Sequence, residues 1–159
     1  MRIHYRQQLE TLLLQLIEMG AAAVDAIDTA MRSVLNHDMA LAKKAEQLEG
    51  AMDQSQREIQ SLCLKLLLGQ QPVAGDLRQV SATMHMISDL ERVGDLAQDI
   101  SELAPYITDP DLLDQVNLHD MSDVACGMVS DSLNAYVKQD SKLAQEVIDR
   151  DDVVDEALT

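Results

Sequence analysis

Aromatic side chains are nearly missing from this chain. Its 159 residues include no Phe, no Trp and only three Tyr. Strands favour aromatic and β-branched residues, so a β-sandwich with neither Phe nor Trp would be unusual. Leu, Ala, Val, Ile and Met supply the apolar positions instead. The composition predicts an all-α protein of one or two small domains.

Cysteines and long apolar runs are also scarce. Cys63 and Cys126 are the two cysteines and form no CxxC pair. We therefore expect neither a disulfide framework nor a zinc ribbon, and a reducing cytosol is the predicted compartment. Glu10, Gln15 and Glu18 interrupt the apolar segment near the start, unlike a signal peptide. Because no stretch approaches the roughly 18 apolar residues of a membrane span, a soluble cytoplasmic protein without membrane insertion is predicted.

Basic residues are few. The chain has 12 Lys and Arg against 28 Asp and Glu, which gives a formal net charge of −16. Nucleic acids and anionic membranes require a basic patch on the protein, and this balance argues against both as partners. It is compatible with cations, metal ions and basic protein surfaces.

Apolar residues recur in alternating steps of four and three, which is typical of helices packed in a bundle. The first run comprises Leu13, Ile17, Gly20, Val24, Ile27, Met31 and Val34. A second run covers residues 41–66, after Asp38 as a candidate N-cap. A third helix is predicted at about residues 73–103. Short turns between them predict an up-down-up three-helix bundle over residues 1–105.

The chain also contains an internal repeat. Cys126, Val129, Leu133 and Tyr136 follow Val24, Ile27, Met31 and Val34 at a constant offset of 102 residues. The same offset relates the turn residues Asp140 and Asp38. Residues 106–159 are therefore predicted to be the first two helices of a second, truncated repeat. An incomplete helical pair exposes an apolar face, so we expect a homodimer or helix exchange.

One predicted helix carries a stripe of carboxylates. In the segment DLERVGDLAQDI, Glu91, Asp95 and Asp99 follow one another at intervals of four residues. Like charges at this spacing cost about 0.2–0.5 kcal/mol per pair. Either the stripe is a solvated face or another group compensates for the repulsion.

The second predicted helix repeats the pattern. Glu49 and Asp53 have the same spacing, and the offset of 102 places Asp151 and Asp155 on them. Antiparallel neighbours bearing such pairs could bring four carboxylates together. Hard cations such as Mg²⁺, Mn²⁺, Ca²⁺ or iron favour oxygen ligands and would neutralise the charge.

Two motifs resemble those of the PhoU family. In the segment QQPVAGDLRQV the matching residues are Gln71, Pro72, Asp76, Leu77 and Arg78. In DLERVGD they are Asp89, Leu90, Glu91, Arg92, Gly94 and Asp95. RDDVVD, residues 150–155, is similar to the counterpart motif of the second repeat.

The resemblance implies PhoU-like three-helix-bundle repeats, the first complete and the second incomplete. It implies a cytoplasmic, non-enzymatic, negative regulator of phosphate uptake and of phosphate-starvation signalling. The implied partners are the phosphate-specific ABC transporter and the sensor histidine kinase of the phosphate response.

The resemblance further implies a multinuclear metal site, with iron, manganese, zinc or magnesium as candidates. The implied ligands are Glu49, Asp53, Glu91 and Asp95, with Asp151 and Asp155 in the second repeat; we add Asp99 because it extends the stripe. The residues expected to act structurally are Pro72, Asp76, Arg78, Arg92 and Gly94. Arg92 is expected to pair with neighbouring carboxylates, and Gly94 to permit close helix approach.

Two alternatives stay open. A purely structural helical module would have solvated acidic faces and no metal. A ferritin-like di-iron carboxylate protein would require Glu-x-x-His on paired helices, and no Glu here has His three residues later. No catalytic triad, phosphate-binding Gly loop or zincin motif is present in the sequence, so no enzyme is predicted.

Overall fold

The structure is a computed structural model that describes residues 2–69 and 74–157. All regular structure in these ranges is helical, which confirms the all-α prediction. The helices are α1 (Arg2–Leu35), α2 (Met39–Leu68), α3 (Ala74–Glu102), α4 (Pro110–Gln115), α5 (Leu118–Lys138) and α6 (Ser141–Ala157). Within the described ranges, no helix combines the length and apolar composition needed to cross a membrane.

Helix α4 has no counterpart among the helices predicted from the sequence. The Asp109 side chain accepts a hydrogen bond from the backbone N–H of Asp111, and Pro110 occupies the first turn. Both features are typical of a helix start. At six residues the helix is too short for the periodicity on which the sequence prediction depended.

Helices α1, α2 and α3 each pack against the other two. Their shared core is aliphatic and rich in methionine and alanine, in keeping with the missing aromatic residues. Its largest fully buried apolar residues are Leu12, Leu16, Met19, Met52, Ile59, Leu66 and Val80.

The predicted core stripe of α1 needs a correction. The residues of α1 in the bundle core are Leu9, Leu12, Leu16, Met19, Ala23, Ala26 and Ala30. From the predicted stripe, Ile17 is 40% exposed, and Gly20 and Val24 contact α5 instead. Helix α1 is apolar over a wide arc, because its core face carries leucines, a methionine and alanines and the adjacent face carries Leu13, Ile17, Ile27 and Met31. The sequence pattern therefore selected the face that packs on the second repeat.

The turn before α6 reproduces the turn before α2. His37 and Gln139, 102 positions apart, both adopt positive φ, at 48° and 54°. The next residues, Asp38 and Asp140, accept hydrogen bonds from the N–H groups of Leu41 and Leu143 at 3.2 and 3.0 Å. The internal repeat is thus present in backbone geometry as well as in hydrophobic pattern.

Helix α5 crosses α1 in the antiparallel direction and also reaches α3. Rising residue numbers on α5, from Cys126 to Leu133, meet falling numbers on α1, from Val24 to Gly20. The Tyr136 hydroxyl donates to the carbonyl oxygen of Gln79 at 2.9 Å. These contacts join the second repeat to the first bundle, and Leu133 belongs to the common core.

Helix α6 packs on α5. Between them, Arg150 Nη2 lies 2.6 Å from Asp131 Oδ2, and both side chains are half-buried. The offset of 102 places these residues on Leu48 and Thr29 of the first repeat. Arg150 thus stands where the first repeat has an apolar residue, and Asp131 compensates its charge.

Candidate metal centre

The approach of α2 to α3 positions the carboxylates, and Gly94 sets how close the two helices come. A Cβ atom added to Gly94 would lie 2.9 Å from Met52 Sδ, closer than real Cβ atoms pack. Met52 is fully buried and sits one position before Asp53. Gly94 stands between Glu91 and Asp95, so the missing side chain brings the two acidic faces together. The close-approach role predicted for Gly94 fits this geometry.

Four carboxylates meet at this contact. One oxygen from each of Glu49, Asp53, Glu91 and Asp95 lies within 4.8 Å of all the others. Each helix contributes one pair, at the four-residue spacing that puts both side chains on the same face. The structure thus brings together the four residues that the two sequence motifs singled out.

Without a bound cation, the ionised carboxylates of this cluster repel one another. Partial burial raises the pKa of Glu49 to about 7, and the charges of Asp53 and Asp95 add to the effect. Burial, together with Asp95 and Asp53, likewise raises the pKa of Glu91 to about 7. Carboxyl groups that share a site resist simultaneous ionisation, so the cluster either retains protons or binds a cation.

The other predicted ligands lie elsewhere. Asp99 is exposed and lies outside the four-carboxylate group, although it is one turn from Asp95. Asp151 and Asp155 are exposed on α6, which packs on α5 rather than against a second acidic helix. Ligation of a metal by these three residues stays a prediction.

The residues expected to act structurally differ in outcome. Asp76 lies in the first turn of α3, where a negative charge complements the helix dipole. Arg92 and Arg78 are exposed, and within the described ranges neither forms an ion pair. The ion pair expected for Arg92 is therefore wrong for this structure. Pro72 lies outside the described residues.

Sequence reasoning passed over one further group, at the start of α5. His119, Asp120 and Asp123 also present ligand atoms within 4.8 Å of one another, and all three are exposed. His119 Nδ1 is 3.2 Å from Asp123 Oδ2 at the i, i+4 spacing of an ordinary helix ion pair. The i, i+4 spacing of His119 and Asp123 is visible in the sequence. An ordinary helix ion pair accounts for it without a metal.

Comparison with known proteins agrees with the motifs. A family model described as the PhoU domain matches residues 16–104 and 118–158. The chain is 35% identical over 151 residues to the "Phosphate-specific transport system accessory protein PhoU homolog" of Aquifex aeolicus, covering 94% of this chain and 68% of that protein. The homologue of the same name from Clostridium acetobutylicum is 34% identical, with 95% and 70% covered.

Solved structures have the same fold. PhoU from Pseudomonas aeruginosa matches with a TM-score of 0.86 and 26% identity over 96% of this chain and 74% of that one. The phosphate transport system regulatory protein PhoU from Streptococcus pneumoniae matches with a TM-score of 0.87 and 25% identity over 96% and 72%. The chain belongs to the PhoU family, whose members named here are regulatory or accessory proteins rather than enzymes.

Proposed function

We propose that this protein regulates phosphate uptake as an accessory of a phosphate-specific transport system. Family membership over nearly the whole chain carries this assignment, because relatives bear that accessory role in their names. The protein would act in the cytoplasm and restrain uptake and phosphate-starvation signalling when phosphate is plentiful.

A deletion tests the regulatory role. Removing the gene from its host should raise a phosphate-starvation reporter in phosphate-replete medium, and the wild-type gene should restore repression. An unchanged reporter in the deletion strain would show that the pathway assignment is wrong.

Within this role, we assign Glu49, Asp53, Glu91 and Asp95 to a cation site that braces α2 against α3. The donor set fits a hard cation, since four converging carboxylates offer only oxygen ligands, and burial and the neighbouring charges raise the pKa values of Glu49 and Glu91. A bound cation would supply the compensating charge and fix the two helices relative to each other. Iron, manganese, zinc and magnesium are the candidates, and a multinuclear centre is compatible with the number of carboxylates.

Elemental analysis tests the cation site. Protein purified without chelator should contain metal, and the Glu91→Ala/Asp95→Ala variant should contain little. The Glu146→Ala/Asp152→Ala variant is a matched control, because it removes the same charge from exposed positions on α6 that are not predicted ligands. Wild-type protein that stays metal-free after incubation with Fe²⁺ or Mn²⁺ would support the alternative of a solvated acidic face.

The sensor histidine kinase and a homodimer are further proposed partners. The kinase follows from the predicted link between uptake and signalling, and the dimer from the exposed apolar side chains Ile148 and Val153 on α6. Light scattering on purified protein would measure the dimer directly. Co-purification with the kinase and with the transporter's ATPase subunit would test the two partners separately.

A further inference from the structure

A second feature of the first bundle is unrelated to the predicted ligands. A groove of about 1120 Å³ runs between the first turns of α2 and the last turns of α3, and Leu103, Pro105 and Tyr106 also line it. Met39, Ala42 and Lys43 form part of its α2 side. Its α3 side is formed by Leu96 and by residues 98–102, which follow the carboxylate cluster along the helix.

The groove is lined by large apolar side chains that the fold leaves exposed. Leu96 and Leu103 are 53% and 52% exposed, and Tyr106 is 82% exposed. Leu96 lies on α3, Leu103 directly follows the last residue of α3, and both side chains line the same groove. A contiguous apolar surface of this kind marks an interaction site more often than scattered single residues do.

Negative charge is interleaved with these apolar side chains. Asp99 lies between the two leucines in sequence, and Glu46 and Glu102 also line the groove. Lys43 is the one basic residue among the described residues of this lining. Within the described part of the chain, Asp99 and Glu46 form no ion pair. The surface thus offers apolar contacts and unpaired carboxylates side by side.

We propose that this groove binds an amphipathic helix of another protein, one that carries Lys or Arg beside its apolar stripe. An amphipathic helix lays its apolar face into such a groove, with anchors at intervals of three, four and seven residues. Basic flanks would meet Asp99, Glu102 and Glu46. Two copies of this acidic groove would repel each other, so we do not assign the groove to the proposed homodimer, whose contact we place at Ile148 and Val153 on α6. The inference depends neither on the cation site nor on the phosphate role.

Fluorescence anisotropy with a labelled synthetic peptide tests the proposal. The probe is an amphipathic helix with a Leu face flanked by Lys, and a second peptide replaces each Lys with Glu. In the presence of chelator, the full chain should bind the Lys peptide at least about tenfold more tightly than the Glu peptide. Equal affinity for both peptides would overturn the charge requirement.

Matched variants locate the binding surface. Leu96→Ser/Leu103→Ser should weaken the Lys peptide about tenfold or more. Leu14→Ser/Leu64→Ser should change binding little, since these leucines are comparably exposed, at 62% and 47%, and lie outside the groove. Equal weakening by both variants would show non-specific adsorption and overturn the proposal.

Charge variants and light scattering complete the test. Asp99→Asn/Glu102→Gln should weaken the Lys peptide more than Asp151→Asn/Asp152→Asn, which removes the same charge from exposed sites on α6. If Leu96→Ser/Leu103→Ser instead converted a dimer to a monomer, a second copy would be the occupant and the proposal would be wrong.

Discussion

The Cys126 sulfur lies 3.8 Å from the carbonyl oxygen of Val24, the residue that stands 102 positions earlier at the equivalent place in the first repeat. When two repeats meet through antiparallel helices, contact between equivalent residues places them near a local two-fold axis, where the contact of i with j is mirrored by j with i. The antiparallel crossing of α1 and α5 fits that arrangement. The two repeats therefore associate through the apolar stripe that they share in sequence.

The α1–α5 crossing depends on Gly20. A methyl group at Gly20 would overlap the side chain of Leu133, which is itself part of the core. We expect Gly20→Ala to lower the free energy of unfolding by about 1–3 kcal/mol, because overpacking forces Leu133 from its place. Urea denaturation followed by circular dichroism would measure the loss.

Gly50→Ala is the control for that substitution. It makes the same change in the interior of α2, where a Cβ would meet no atom within 4 Å, so we expect stabilisation of up to about 1 kcal/mol. A Gly20→Ala variant as stable as Gly50→Ala would contradict the close crossing of α1 and α5.

The ion pair between Arg150 and Asp131 stands at the positions that Leu48 and Thr29 occupy in the first repeat. Arg150→Leu alone should destabilise the protein by about 1 kcal/mol or more, since it leaves Asp131 half-buried without its partner. The double variant Arg150→Leu/Asp131→Thr restores the first-repeat residues and should recover most of this loss. Thermal unfolding of the two variants beside wild type measures the difference, and additive losses would show that the pair is not coupled.

Neutralising the carboxylate cluster should have opposite effects with and without metal. In chelator at pH 8, Glu49→Gln/Glu91→Gln should be more stable than wild type, because it removes charge from a crowded site. With Mn²⁺ at about 100 times its Kd, wild type should gain about 2.7 kcal/mol, and the variant should gain little. Differential scanning calorimetry would show both effects, and equal gains in the two proteins would place Mn²⁺ elsewhere.

The stability of the metal-free protein should depend on pH in a predictable direction. The pKa values of Glu49 and Glu91 rise from an ordinary 4.5 to about 7 in the folded state, so folding favours their protonated forms. Their contribution to stability is fully present below about pH 4.5 and is lost as pH rises through 7. Relative to Glu49→Gln/Glu91→Gln, wild type should therefore lose stability between pH 5 and pH 8.

Cation affinity should change in the opposite direction across the same interval. A cation displaces the protons that Glu49 and Glu91 retain, so binding should tighten as pH rises from 5 to 8. Isothermal titration calorimetry with Mn²⁺ in two buffers of different ionisation enthalpy would detect the released protons. An affinity for Mn²⁺ that does not change with pH would mean that these two glutamates are not ligands.

Local sequence signals determined the helices and the members of the cluster. Four-three periodicity and the N-caps Asp38 and Asp140 depend on neighbouring residues only, so α1, α2 and the start of α6 could be predicted. The two i, i+4 acidic pairs are likewise local, and their convergence followed once α2 and α3 were expected to be adjacent. The short helix α4 has an N-cap in Asp109, but at six residues it is too short to show the periodicity.

The tertiary structure alone decided how the helices are rotated against one another. Periodicity shows that α1 has an apolar face but not which of two apolar stripes faces the bundle, and packing gave that place to the stripe that includes Leu12, Leu16 and Ala23. The same rotation includes Asp95 in the cluster and leaves Asp99 in the groove. The contact between Gly94 and Met52 fixes the spacing of α2 and α3, and it involves atoms that lie far apart in sequence. Steric fit between distant residues is not encoded in any local pattern, so only the folded chain shows it.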